Sequence, residues 1–272
     1  MQLDQTRIVI REREFGEVLG LALQVIRAHA GWLFAAFLIG VTPCVLFNGW
    51  LLADMLEEEL WGDAPAGYWF AMFCLMVMEV PFATALITLY LGRMTFSGEV
   101  GFRVIVVDFL RSLPQMFLIQ GLLRAILMPI LLLPYLIWPY LGELVLLERN
   151  PLLAGKKKRL TTIRRSRNMH SNSGGELFGR LLLAIMAGGV LWLALAWGTE
   201  VLIGQLTGWE TTEFVRHLYI YPITLWLVVG WMAVVRFLSY LDLRIRREGW
   251  EVELLMRAEA HRLQRSSLTV NG

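Results

Sequence analysis

The chain has 272 residues, 57% of them hydrophobic and only 18% charged, with a mean hydropathy of +0.56. A soluble domain is nearer half apolar and a quarter charged, so the composition argues against a soluble fold. The excess gathers in runs of roughly 20 residues, the length that crosses about 30 Å of hydrocarbon. Eleven Trp suit a protein with two water–lipid boundaries. The two Cys, Cys44 and Cys74, lie inside apolar runs and read as small core hydrophobes rather than a disulfide or metal site.

Residues 1–30 form a polar leader to the first span. Arg7, Arg11 and Arg13 precede an apolar run that starts only near Gly31 and is a full span long, which predicts a retained helix and not a cleavable signal. From Arg13 to His29 the stripe Phe15, Val18, Ala22 and Val25 predicts an amphipathic helix. Such a helix either lies in the membrane interface or packs on the protein's own cytoplasmic face.

A transmembrane domain is predicted over 31–241, with spans at about 31–53, 68–91, 114–133, 137–149, 178–202 and 218–241. Pro43 implies a kink in the first span, and Glu79-Val80-Pro81 interrupts the second. The acidic stretch 54–67 between them reads as a loop. Phe102, Val106, Phe109, Leu110 and Leu113 make a second amphipathic stripe opposite Arg103, Asp108 and Arg111. The apolar run from Leu113 to Leu147 is too long for one straight span and holds Pro129, Pro134 and Pro139. Two limbs with a proline-rich turn fit it better, the second limb being short enough to cross or to re-enter. Residues 242–272 read as a C-terminal amphipathic helix and tail.

Charge fixes the orientation. Of the 25 Lys and Arg, 23 fall before Gly31, in 92–112, in 149–180 or from Arg236 onward, leaving Arg124 and Arg216. Lys and Arg gather on the cytoplasmic side of short loops. Since 92–112 and 149–180 are both basic, the chain crosses an even number of times between them. The expected fold is an all-α membrane protein: a six-segment transmembrane bundle whose third and fourth segments form a proline-broken hairpin. Both termini and the amphipathic helices are then cytoplasmic.

Three charges inside the apolar runs, Glu79, Arg124 and Glu143, are the candidate intramembrane polar site. Each costs at least about 2.5–3.5 kcal/mol unless paired or hydrated. They form either a site for a proton, ion or lipid head group, or a structural Arg124–Glu143 pair. A second candidate is the basic segment Lys156, Lys157, Lys158, Arg159, Arg164, Arg165 and Arg167, with no acid between Glu148 and Glu176. At roughly 1 kcal/mol per basic residue it can hold anionic lipid head groups. It lacks the aromatic interleaving and recognition fold of a nucleic-acid binder. His29, His170, His217 and His261 are dispersed without metal-ligand spacing, and no nucleophile elbow or P-loop occurs. No catalytic residue, metal or cofactor is predicted.

Several patches carry a resemblance: "REREFGEVLGLALQVIRAH", "PFATALITLYLGRMTFSGE", "LGELVLLERNP", "RRSRNM" and "RFLSYLDLRIRREGWEVEL". In these the chain resembles a family of bacterial polytopic membrane proteins, similar to the membrane domain fused to some glycerophosphodiester phosphodiesterases. The resemblance implies a bacterial cytoplasmic membrane and a six-helix bundle. It does not imply phosphodiesterase activity, which in those fusions resides in a separate barrel domain. The expected function is a non-enzymatic scaffold or accessory subunit that docks lipid or a protein partner on its cytoplasmic face. The rival is a small transporter or lipid-handling protein working through Glu79, Arg124 and Glu143.

Overall fold

The computed structural model describes residues 14–61, 65–96, 101–122, 140–148, 162, 166 and 174–248. Among these every regular element is helical. The helices are α1 (Phe15–Ala28), α2 (Ala30–Leu60), α3 (Ala66–Ala83), α4 (Ala85–Phe96), α5 (Phe102–Met116), α6 (Gly174–Thr207) and α7 (Tyr221–Glu248). A π-helical turn, Phe117–Leu122, extends α5. A short turn at Leu141–Glu143 runs on as π-helix Leu144–Glu148, and Glu213–Val215 with Arg216–Ile220 leads into α7.

Four stretches are long and apolar enough to cross a membrane: Ala30–Leu60, Ala66–Thr95, Gly175–Thr207 and Glu213–Arg246. They correspond to the expected spans at 31–53, 68–91, 178–202 and 218–241, and each is longer than expected. α2 continues through Asp54, Glu57, Glu58 and Glu59, which the sequence reading assigns to a loop. Leu, Met and Glu are good helix formers, and no glycine or proline intervenes before Gly62. Similarly, α6 persists to Thr207 and is closed by Gly208, whose φ of +65° suits a residue without Cβ. Of the expected limbs at 114–133 and 137–149, residues 123–133, 137–139 and 149 lie outside the described residues. Their described flanks stand side by side, with Gln120 against Gly142.

Pro43 leaves α2 a single helix, whereas Pro81 is followed by a break at Thr84. There the Thr84 hydroxyl donates to the Val80 carbonyl at 2.7 Å, and the Thr88 hydroxyl donates to Thr84 O at 3.3 Å. Such back-bonding bends a helix already weakened by proline. The bend sits where α2 crosses closely: a Cβ on Gly40 would overlap the Ala83 carbonyl. Small residues of this kind let helix backbones touch where no hydrophobic drive exists between helices.

Burial is uneven. Over its most apolar window, the span containing α7 is 56% buried and the α3–α4 span 50%, but α2 is 17% and α6 only 11% buried. α7 is therefore the central helix. One core cluster joins α1, α4, the 140–146 segment and the second half of α7, including Phe237 and Tyr240. Another joins α2, α3, Leu218 and Trp226. α6 rests on α7 at one seam, where Gly188 faces Val228 and Met232.

α1 buries Val18, Ala22 and Val25, the expected stripe, and packs against α7, which fits the second of its two readings. α5 differs. Its buried residues are Ile105, Asp108, Ser112 and Met116, while Phe102 and Leu110 are 44% and 57% exposed. Arg93 explains the turn: its Nε donates to Asp108 Oδ2 at 2.9 Å, drawing the acid inward. Of the apolar stripe, Phe102 and Leu110 are thereby left exposed, while Phe109 packs against the core from its edge.

Replacing Gly40 with leucine should cost roughly 1–3 kcal/mol by overpacking, read as a lower unfolding temperature in detergent. Gly49, with open space around its Cβ position, should tolerate leucine with little loss. Equal losses at both positions would remove the close crossing from the account.

Candidate functional site

Glu79 lies near the middle of the Ala66–Thr95 span. It is placed there by α3, immediately before Val80 and Pro81 lead into the bend. Asn48, buried on the facing side of α2, donates from Nδ2 to Glu79 Oε2 at 2.8 Å. Asn48 Oδ1 is buried and accepts no hydrogen bond among the described residues. A carboxylate beside an amide with a spare acceptor can hold a proton or a small donor. Sequence reasoning found the acid and missed the amide, although Asn48 is a lone polar residue inside an apolar run.

Glu143 has another partner than the one weighed from sequence. Arg236 of α7 meets both of its oxygens at 3.0 Å. Glu143 is almost fully buried, and Arg236 is a quarter exposed. Arg124, the expected partner, lies outside the described residues. Sequence reasoning missed Arg236, which sits at the polar end of a span and reads there only as an orientation signal.

This pair belongs to a larger set at the same end of the bundle. One turn along α7, the Tyr240 hydroxyl donates to Glu148 Oε1 at 3.0 Å, and Arg244 lies 3.9 Å from the same oxygen. Positions 236, 240 and 244 repeat at four-residue steps, so they form one ridge facing the 140–148 segment. A second face of α7 holds α6: Asp242 Oδ2 takes Arg180 at 2.9 Å and Arg246 at 2.8 Å. Glu176 then takes Arg246 at 2.6 Å and Arg180 at 3.1 Å. Buried Asp242 therefore sits between two guanidinium groups.

The basic residues Lys156, Lys157, Lys158, Arg159, Arg164, Arg165 and Arg167 lie outside the described residues. Thr162 and Ser166, one turn apart within that segment, are described, and both are buried. Gln115 of α5 donates from Nε2 to Thr162 Oγ1 at 3.1 Å. Thr162 is thus docked on α5.

The opposite end of the bundle is aromatic. Trp69 donates from Nε1 to His217 Nδ1 at 3.0 Å, and the Tyr68 hydroxyl donates to His217 O at 2.7 Å. Indole is only a donor, so Nδ1 accepts and a neutral His217 carries its proton on Nε2. That nitrogen faces Glu213 at 3.5 Å. Tyr221 and Trp192 close the cluster. Among the described residues no three His, Cys, Asp or Glu converge as metal ligands. Compared with family models, curated proteins and solved structures, the chain matches none.

The Arg236–Glu143 pair should be asymmetric. Arg236→Met strands a buried carboxylate and should cost about 3–5 kcal/mol. Glu143→Gln leaves an arginine that reaches water along its stem, so its cost should be smaller, about 1–2 kcal/mol. Thermal unfolding in detergent, completed as a double-mutant cycle, should give a coupling of roughly 0.5–3 kcal/mol. A coupling near zero would dissolve the pair.

Proposed function

We propose that the protein is a non-enzymatic scaffold or accessory subunit of a bacterial cytoplasmic membrane, with both termini in the cytoplasm. The observation that carries this reading is how its charges are used. Arg236 with Glu143, and Asp242 with Arg180 and Arg246, brace helices against one another. Charges that stabilise an assembly's shape serve a docking platform better than a translocation path. Three segments meeting at that end, α1, α5 and the end of α7, carry Lys or Arg, which favours the cytoplasmic side by the positive-inside rule. Phe102 and Leu110 of α5 stand exposed there for a protein partner, and the basic sequence Lys156 to Arg167 supplies charge for anionic lipid. The patches that resemble a family of bacterial polytopic membrane proteins favour the same setting.

A second reading, a small transporter or lipid-handling protein, rests on one observation: the spare acceptor Asn48 Oδ1 beside Glu79. One substitution separates the two. Glu79→Gln keeps the hydrogen bond from Asn48 and removes the titratable proton. Under the scaffold reading, the variant isolated in nanodiscs from its native membrane retains a stoichiometric protein partner by native mass spectrometry. Wild-type protein that carries only lipid or a small ligand, released by Glu79→Gln, would overturn the scaffold in favour of the transporter.

A further inference from the structure

At the aromatic end of the bundle, where α6 stops and the chain turns toward α7, there is an open cavity of about 590 Å³. That is within the usual range for small-ligand sites, about 300–1,000 Å³. Its chemistry is mixed: the walls include Trp197, Trp209, Glu200, Glu210, Thr211 and Arg216. Arg216 is largely committed. It donates from Nη1 to Glu213 at 2.7 Å and from Nε to Thr211 Oγ1 at 3.2 Å. Its Nε stands 4.0 Å from Glu200 Oε1, too far for a hydrogen bond. Glu200 Oε1 is itself buried and accepts no hydrogen bond among the described residues. With Arg216 offset by Glu213, the carboxylates of Glu200 and Glu210 leave the cavity negative.

We propose that this cavity binds the phosphoethanolamine head group of a membrane phospholipid. A buried carboxylate oxygen without a donor carries a desolvation cost that an incoming N–H removes. A primary ammonium supplies that N–H, whereas a quaternary ammonium has none to give. The two indoles add a cation–π surface for the same charge. Arg216, beside Glu200, uses Nε and Nη1 within the protein and has Nη2 left to donate to the phosphate. The ligand is a lipid because Trp197, Val201 and Gly204 of α6, the least buried span, line the cavity, and Val190 and Leu193, at three- and four-residue steps on the same face, are 69% and 61% exposed. Acyl chains descending from the head group lie on that apolar face. Gly204 keeps the site open, since nothing stands within 4 Å of where its Cβ would be.

The test is lipid titration of the full-length protein in detergent, read by native mass spectrometry with phosphatidylethanolamine, phosphatidylcholine and phosphatidylglycerol of identical chains. One phosphatidylethanolamine should bind at least about tenfold more tightly than either of the others, a difference of about 1.4 kcal/mol. Glu200→Gln should remove most of that preference, and Gly204→Phe should abolish binding by filling the cavity. Gly189→Phe, on the same helix with open space around it, should leave binding unchanged. Equal affinity for the ethanolamine and choline lipids, or a preference that survives both Glu200→Gln and Gly204→Phe, would overturn the assignment. Soluble O-phosphoethanolamine binding as tightly as the lipid would overturn the lipid as its source.

Discussion

α7 holds the molecule together because its polar end must satisfy carboxylates arriving from two directions. Arg236, Tyr240 and Arg244 face the 140–148 segment, while Asp242 and Arg246 face α6. An ion pair of this kind adds little net stability over a well-packed apolar contact, because both charges are desolvated. It penalises misplacement instead. A helix shifted by one residue along α7 would bury a charge without its partner, so the network fixes register where apolar spans alone would slide. The hydrophobic contacts of Phe237 and Tyr240 then fill in around a geometry already set.

The two ends of the bundle use different physics. At the basic end, arginines and acids interlock, and α1 lays Val18, Ala22 and Val25 over the joint. At the other end, Trp69, His217, Tyr221 and Trp192 meet edge to face, with hydrogen bonds to ring nitrogen and backbone oxygen. Aromatic rings with one polar atom suit a boundary where one side is apolar and the other wet. Between the ends, helix contact depends on small residues, as at Gly40 and Gly188.

Much of this was legible in the residues. The runs 31–53, 68–91, 178–202 and 218–241 announce helices because nothing else satisfies the backbone in hydrocarbon. α1 was readable from its period. The boundaries were not: an acidic cluster such as Glu57-Glu58-Glu59 looks like a loop by polarity, yet glutamate extends a helix readily. α5 was legible as amphipathic, but which face turns inward depends on Arg93, on another helix and 15 residues from Asp108. Glu79 and Glu143 stood out as charges in apolar runs. Their partners Asn48 and Arg236 are 31 and 93 residues away in sequence, a separation no local pattern encodes.

The ladder on α7 also bears on the order in which the chain is made. Synthesis delivers Glu143, Glu148, Glu176 and Arg180 to the membrane before the residues that complete them. Arg93 with Asp108, and Arg180 with Glu176, close early, being neighbours in sequence, but the others wait for the helix that begins at Tyr221. Until it arrives, Glu143, Glu148 and the Glu176–Arg180 pair have no counter-charge from α7. A ribosome that stalls before Asp242 therefore releases a chain whose spans are inserted but whose charges are open. The helix at the centre of the fold is therefore also the last to complete its charge pairing.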